Sequence, residues 1–219
     1  FLDDVDAIYG THIWGDLDAP YMNFESGPRM ASCDNFRIEV EGKSAHGSTP
    51  HQGVDAILAA AHIITEIQAV VSRMNDPLNP LVITVGTING GQRFNILADK
   101  VVMEGTTRTH SPKMRQETEP LLRRIVENSA DSMGAKATLT FEYFPAPIIN
   151  DHEDLVRIAR NAATKMYGTD SLKPFPKMMI SEDFAYYMEK VPGVFGLVGS
   201  QNKDLGLTAK NHNDHYTAD

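Results

Sequence analysis

Two histidines in polar surroundings are the first candidates for metal ligands in this sequence. His12 follows a short apolar segment and has Asp16 and Asp18 nearby, and His212 lies in the polar segment Asn211–His215. Imidazole is the side chain that most often binds metals in proteins, and loops at strand ends commonly carry such sites. The spacing matches no established zinc motif, and a solvated loop histidine is the commoner interpretation of each. Both interpretations stay open at this point.

A loop rich in small residues, residues 42–51, carries two more histidines, His46 and His51. Small side chains let the backbone approach a ligand, and the imidazoles could donate hydrogen bonds to it. A flexible loop that only starts a helix accounts for the same residues and is the simpler interpretation. The loop is therefore a candidate binding segment with a structural alternative.

Polar residues at three other places could contact a substrate. Asn95 ends the loop over residues 89–95, which is longer than a tight hairpin needs. Arg108 lies near the end of the next predicted strand, and its guanidinium suits a bidentate grip on a carboxylate, although a surface ion pair would also account for it. Glu182 and Asp183 are adjacent carboxylates at the start of a predicted helix, where the helix dipole stabilises negative charge. A capping role is the common explanation for such a pair.

The middle of the chain shows the pattern of one compact α+β domain. Between residues 35 and 145 the predicted order is strand, helix, strand, strand, helix, strand. That is the order of a ferredoxin-like βαββαβ domain, an antiparallel four-stranded sheet with both helices on one face. The predicted strands cover about 36–40, 81–88, 99–109 and 137–143, and the predicted helices about 48–71 and 111–133.

The remaining residues, 1–34 and 148–219, predict part of a second, α/β domain. Its predicted elements are a strand over 5–9 that ends at Gly10, a helix near 152–167, a short helix over 183–190 and a strand over 194–198. The fold class is therefore α/β (α+β), with residues 35–147 inserted into the second domain. Because the chain starts at Phe rather than Met and ends without a closing element, we expect a piece of a longer protein.

The composition excludes several classes of protein. The 219 residues carry a net charge of −9 and are 42% hydrophobic, which is typical of a globular domain with a core. The acidic balance and the lack of a basic run predict no nucleic-acid partner. No apolar stretch approaches the roughly 20 residues that span a bilayer, so no membrane partner is expected. A single cysteine, Cys33, and the lack of a signal-peptide pattern predict a cytoplasmic protein.

Several segments, taken in order, resemble the M20 family of metallopeptidases. The resemblance is strongest to its amidohydrolase branch, which includes N-acyl-amino-acid amidohydrolases, hippurate hydrolases and auxin-conjugate hydrolases. The ordered set is specific and covers nearly the whole chain. The matching segments are Tyr9–Trp14, Met30–Phe36, Gly42–His46 with Pro50–Asp55, Gln68–Arg73, Gly90–Gly91 with Asn95, Gly105–Thr109, Ser181–Phe184 and His212–Asn213.

The resemblance implies a two-metal catalytic domain with an inserted ferredoxin-like lid or dimerisation domain. It implies that His12 and His212 bind two divalent metal ions, zinc, manganese or cobalt, together with other ligands. It also implies that His46 reaches from the lid, often of a neighbouring subunit, to stabilise the tetrahedral intermediate. Asn95 and Arg108 are then expected to hold the carboxylate end of the substrate. The implied protein is a homodimeric enzyme that hydrolyses the amide bond of N-acyl amino acids, peptide-like substrates or related conjugates.

The chain departs from the family pattern at defined positions. The Cys-x-His ligand motif and the Glu-Glu pair that supplies the catalytic base precede the lid in this family and are absent from the sequence. We therefore expect this chain to be inactive alone, and it need not bind metal. Ala98, Asn211 and Asp214 stand where the family commonly has Pro, Leu and Pro. The alternative function is a ferredoxin-like dimerisation or ligand-binding module without hydrolysis.

Overall fold

The computed structural model describes residues 2–218, which divide into two compact units. Ser32–Phe144 form one of them, here called the inserted unit. The described residues up to Ala31 and from Pro145 onward form the other, here called the flanking unit. These boundaries lie three residues from the predicted ones, 34/35 and 147/148.

The described residues form nine strands and four α-helices. The strands are β1 (Ile8–Asp18), β2 (Met22–Asn23), β3 (Gly27–Met30), β4 (Asp34–Glu41), β5 (Leu81–Gly90), β6 (Lys100–Thr109), β7 (Lys136–Glu142), β8 (Ile148–Asn150) and β9 (Gly193–Gln201). The helices are α1 (Ala56–Ala69), α2 (Pro112–Ser132), α3 (Glu153–Tyr167) and α4 (Ala185–Met188). The inserted unit contains β4 to β7 with α1 and α2.

The inserted unit has the ferredoxin-like topology. Its sheet is antiparallel with the strand order β5–β6–β4–β7. In β4 the apolar residues Phe36, Ile38 and Val40 are buried, and the polar residues between them face the other side. Both helices pack on the buried face in one core. The predicted βαββαβ arrangement is therefore confirmed.

Helix α1 begins later than predicted. The sequence places its start at Ser48–Pro50, but Pro50–Gln52 form a separate 3₁₀ turn, and Thr49 makes no side-chain cap there. Asp55 caps α1 instead, because its Oδ1 accepts two backbone N–H groups of the first turn at 2.9 and 3.2 Å. Asp and Ser are both favourable N-caps, so the local sequence offers more than one start.

One helical segment has the length and composition of a membrane span. This segment is Ala56–Met74, which consists of α1 and a following π-helical turn over Val70–Met74, and it is long and apolar enough to cross a bilayer. The prediction from the sequence that no segment could span a bilayer is therefore wrong for length and composition. Ala59, Ile63 and Ile67 are fully buried in the core of the inserted unit. We therefore interpret the segment as a core helix.

The flanking unit is built around two parallel strands. Residues Ile8–Trp14 of β1 pair with Gly193–Gly199 of β9, and β2 pairs with the other edge of β9 in antiparallel orientation. Strands β3 and β8 form a separate two-stranded sheet. Strand β9 is buried along most of its length, as expected for a parallel strand between neighbours. The predicted helix near 152–167 corresponds to α3, whereas the predicted helix over 183–190 is reduced to α4.

The predicted strand over residues 5–9 is wrong, because β1 runs from Ile8 to Asp18. Gly10 does not end the strand; a Cβ there would lie 2.7 Å from the Phe184 ring, so glycine is needed for packing. His12 is consequently a strand residue rather than a loop residue. Three other strands, β2, β3 and β8, were not predicted because each has only two to four residues, too few to show a periodic pattern.

Candidate active site

A cavity of about 340 Å³ in the flanking unit brings the two predicted metal-binding histidines together. His12 and His212 both line it, and so does Glu182. Strand β1 supplies His12, the segment before α4 supplies Glu182, and the C-terminal segment supplies His212, whose φ of 61° is in the left-handed region. Three residues that are far apart in sequence therefore face one space.

The backbone determines which nitrogen of His12 carries the proton. Nδ1 of His12 lies 2.7 Å from the carbonyl oxygen of Ile13. A carbonyl oxygen can only accept a hydrogen bond, so Nδ1 is protonated and Nε2 of the neutral ring has a free lone pair. Histidines that bind metal commonly hold their other N–H on a backbone carbonyl in this way. His12 thus has the tautomer of a metal ligand.

Glu182 lies opposite this lone pair. Its Oε2 is 3.8 Å from Nε2 of His12, and its side chain is 18% exposed. Burial raises the pKa of the Glu182 carboxyl, and the neighbouring Asp183 raises it further. The separation is too long for a hydrogen bond, whereas a cation between the two groups would bind to both. The sequence alone favours a capping role for Glu182, since no local signal connects it with a histidine 170 positions away.

Asn211, where the family commonly has Leu, anchors the C-terminal segment to β1. Its Nδ2 donates to the Ile13 carbonyl at 2.8 Å, and its Oδ1 accepts from the Gly15 N–H at 2.7 Å. The Ile13 carbonyl therefore accepts hydrogen bonds from both His12 and Asn211. Through this shared acceptor, the strand that carries one predicted ligand holds the segment that carries His212.

The metal centre implied by the resemblance is not complete among the described residues. Within residues 2–218, no group of three or more His, Cys, Asp or Glu side chains is close enough to hold a metal ion. The donors that are present are of the types that bind divalent metal ions, because His12 offers an imidazole lone pair and Glu182 offers a carboxylate oxygen. They would supply part of a coordination sphere.

In the inserted unit the structure brings His46 and Asn95 together. The Gly47 N–H donates to the Asn95 carbonyl at 2.8 Å, and the Leu97 N–H donates to the Ala45 carbonyl at 2.9 Å. The segment that carries His46 therefore runs antiparallel to the one that carries Asn95. Both residues are exposed. This pairing joins two predicted site residues that lie 49 positions apart.

His46 has the opposite tautomer to His12. The backbone N–H of Ser48 donates to Nδ1 of His46 at 3.2 Å, and the Ser48 Oγ lies 2.7 Å from the same nitrogen. A backbone N–H can only donate, so Nδ1 is unprotonated and the proton of the neutral ring is on Nε2. Nε2 of His46 is therefore a hydrogen-bond donor.

Arg108 does not lie near Asn95 within one chain. It is half-buried in β6 opposite Val82, whereas the loop that contains Asn95 joins the sheet at the other end, where Val101 pairs with Gly90. Arg108 lies seven positions after Val101 in β6, which is about 23 Å along an extended strand. The two residues expected to hold one carboxylate thus lie at opposite ends of the sheet.

The comparisons with known proteins agree with this architecture of an α/β unit that carries an inserted α+β domain. Residues 33–133 match the peptidase dimerisation domain of M20 type. The N-acetyl-L-cysteine deacetylase of Bacillus subtilis is 37% identical over 199 residues, which cover 91% of this chain and 47% of that protein. The IAA-amino acid hydrolase ILR1-like 4 of Arabidopsis thaliana is 32% identical over 220 residues. The alignment covers 98% of this chain and 50% of that protein.

A solved structure shows the same fold over the whole chain. The YXEP protein of Bacillus subtilis, described as a dinuclear metal-binding peptidase of the M20 family, superposes with a TM-score of 0.80 at 29% identity. The match covers 100% of this chain and 53% of that one. The chain belongs to the M20 family. It spans about half the length of the curated relatives it matches.

Proposed function

We propose that this chain is part of an M20 amidohydrolase that cleaves the amide bond of N-acyl amino acids or related conjugates with two divalent metal ions. The observation that carries the proposal is the opposite hydrogen bonding at Nδ1 of two histidines, from which opposite tautomers follow. His12 presents a lone pair at Nε2, as a metal ligand must, and His46 presents an N–H at Nε2, as an oxyanion donor must. The named relatives, an N-acetyl-cysteine deacetylase and an IAA-amino acid hydrolase, support this substrate class.

Each residue has a separate task in this mechanism. His12 and His212 would hold metal, and Glu182 would offer an oxygen to the ion at His12. Bound metal ions of this kind activate a water molecule and polarise the amide carbonyl. The Nε2–H of His46 would donate to the carbonyl oxygen as that oxygen gains negative charge. Such a donor acts mainly in the transition state, because the charge is greatest there.

The same proposal includes a homodimer through the inserted unit. One chain places Asn95 with His46 at one end of the sheet and Arg108 at the other. A second copy lets Asn95 of one protomer and Arg108 of its partner bind the same substrate. The match of residues 33–133 to a dimerisation domain supports this arrangement.

Histidine variants of the complete enzyme test the proposed function. His46→Ala should lower kcat by about 10²–10³ with little change in KM and unchanged metal content, because it removes one transition-state donor. His12→Ala should lower the metal content itself, measured by elemental analysis. His51→Ala is the matched control, since His51 is an exposed histidine of the same loop. If His46→Ala loses metal, or keeps kcat within a few-fold of the parent, the assigned role is wrong.

A further inference from the structure

Ser48 makes two contacts with the same ring nitrogen of His46. Its backbone N–H lies 3.2 Å from Nδ1, and its Oγ lies 2.7 Å from Nδ1. The shorter contact is to the side chain, so the hydroxyl is the stronger partner of the ring. No other described residue makes a hydrogen bond to the His46 ring within these distances.

The backbone contact decides the direction of the hydroxyl contact. A proton on Nδ1 would point at the amide proton of Ser48, so Nδ1 must accept. With Nδ1 as an acceptor, the Ser48 hydroxyl must donate to it. Both groups of Ser48 therefore favour the ring with its proton on Nε2, and both also restrain the rotation of the imidazole.

We propose that Ser48 is a positioning residue that holds His46 as an Nε2–H donor. The inference rests on the proposed function, in which His46 donates to the developing oxyanion. In the opposite tautomer, Nε2 would carry a lone pair and would repel that oxygen. Ser48 thus selects the hydrogen-bonding role of His46, as the Ile13 carbonyl selects the metal-binding role of His12.

The adjacent residue provides a matched control. The Thr49 hydroxyl donates to the backbone carbonyl of His46 at 3.3 Å and does not touch the ring. Thr49→Val and Ser48→Ala each remove one hydroxyl from the same loop, but only Ser48→Ala removes a donor to Nδ1. Ser48 is exposed, so its truncation leaves no cavity in the core.

The tautomer can be read directly by NMR on the chain labelled with ¹⁵N-histidine, with His46 assigned by the loss of its signals in His46→Ala. We expect Nδ1 of the neutral His46 ring in the unprotonated range. Ser48→Ala should shift this resonance only part of the way toward the protonated range, because the backbone N–H of residue 48 still donates to Nδ1. Ser48→Thr should restore the parent position, and Thr49→Val should leave it unchanged. A parent spectrum with Nδ1 protonated would overturn the inference, and so would a Ser48→Ala spectrum that matches the parent.

Kinetics of the complete enzyme provide the second measurement. Ser48→Ala should lower kcat about five-fold, which is the effect of one lost hydrogen bond, with KM unchanged within two-fold and kcat recovered in Ser48→Thr. An unchanged kcat in Ser48→Ala, beside a large loss in His46→Ala, refutes the role of Ser48 and leaves the proposed function intact. An unchanged kcat in His46→Ala refutes the oxyanion role itself, whatever the tautomer.

Discussion

The buried ion pair between Asp34 and Arg115 predicts how much one substitution lowers the stability of the inserted unit. The side chain of Asp34 is 1% exposed and that of Arg115 is 13% exposed. Arg115 donates to both carboxylate oxygens, with Nε 2.9 Å from Oδ2 and Nη2 2.8 Å from Oδ1, and the Phe144 N–H donates to Oδ1 at 3.1 Å. Asp34 thereby ties the first strand of the unit to its last residue. Asp34→Ala would leave the guanidinium buried without its carboxylate.

The size of the effect follows from this burial. Removing one partner of a buried, hydrogen-bonded ion pair costs about 3–5 kcal/mol of unfolding free energy. For a unit of 144 − 31 = 113 residues, 1 kcal/mol corresponds to roughly 4 °C in Tm, so the expected decrease is about 12–20 °C. Arg37→Ala is the control, because Arg37 is likewise ion-paired, with the carboxylates of Glu39 and Glu104, but on the exposed face. Its removal should leave the Tm nearly unchanged.

Urea and thermal denaturation of the segment 32–144, followed by far-UV circular dichroism, measure both variants. We expect this segment to fold on its own. Asp34→Asn keeps the shape of the side chain and separates the loss of charge from the loss of volume. The reasoning is refuted if Asp34→Ala lowers the free energy of unfolding by no more than Arg37→Ala does. If the parent segment fails to fold alone, the expectation of an independent unit is wrong.

Three further predictions concern the site and the assembly. Glu182→Gln in the complete enzyme should weaken metal binding about 10- to 100-fold, because it removes an oxygen next to the His12 ligand; an affinity equal to the parent by metal titration would contradict this. Arg108→Ala should raise KM for substrates with a free carboxylate much more than for their methyl esters, and an equal change for both would exclude carboxylate binding. The segment 32–144 should sediment as a dimer, and a strictly monomeric species at high micromolar concentration would count against the proposed interface.

Much of the inserted unit was predictable because its signals are local. The two-residue alternation of β4 follows from the pleat of a strand, so three buried residues, Phe36, Ile38 and Val40, identify one face without any other part of the chain. Ser111 caps α2 by accepting the Met114 N–H at 3.2 Å, and Pro112 follows it at the first helical position, a pair of residues typical of a helix start. Patterns that lie within one element can be read from the residues of that element alone.

The site depended on contacts between distant parts of the chain. Strand β1 extends to Asp18 because it pairs with β9, whose first residue, Gly193, lies 185 positions after its partner Ile8. That pairing turns His12 into a strand residue, and the packing of the flanking unit brings Glu182 to it. The residue types alone identified His12 and His46 as candidates. Which ring nitrogen of each carries the proton depends on the rotamer that the histidine adopts beside a nearby backbone group, of Ile13 or of Ser48, and the residue types alone do not determine that rotamer.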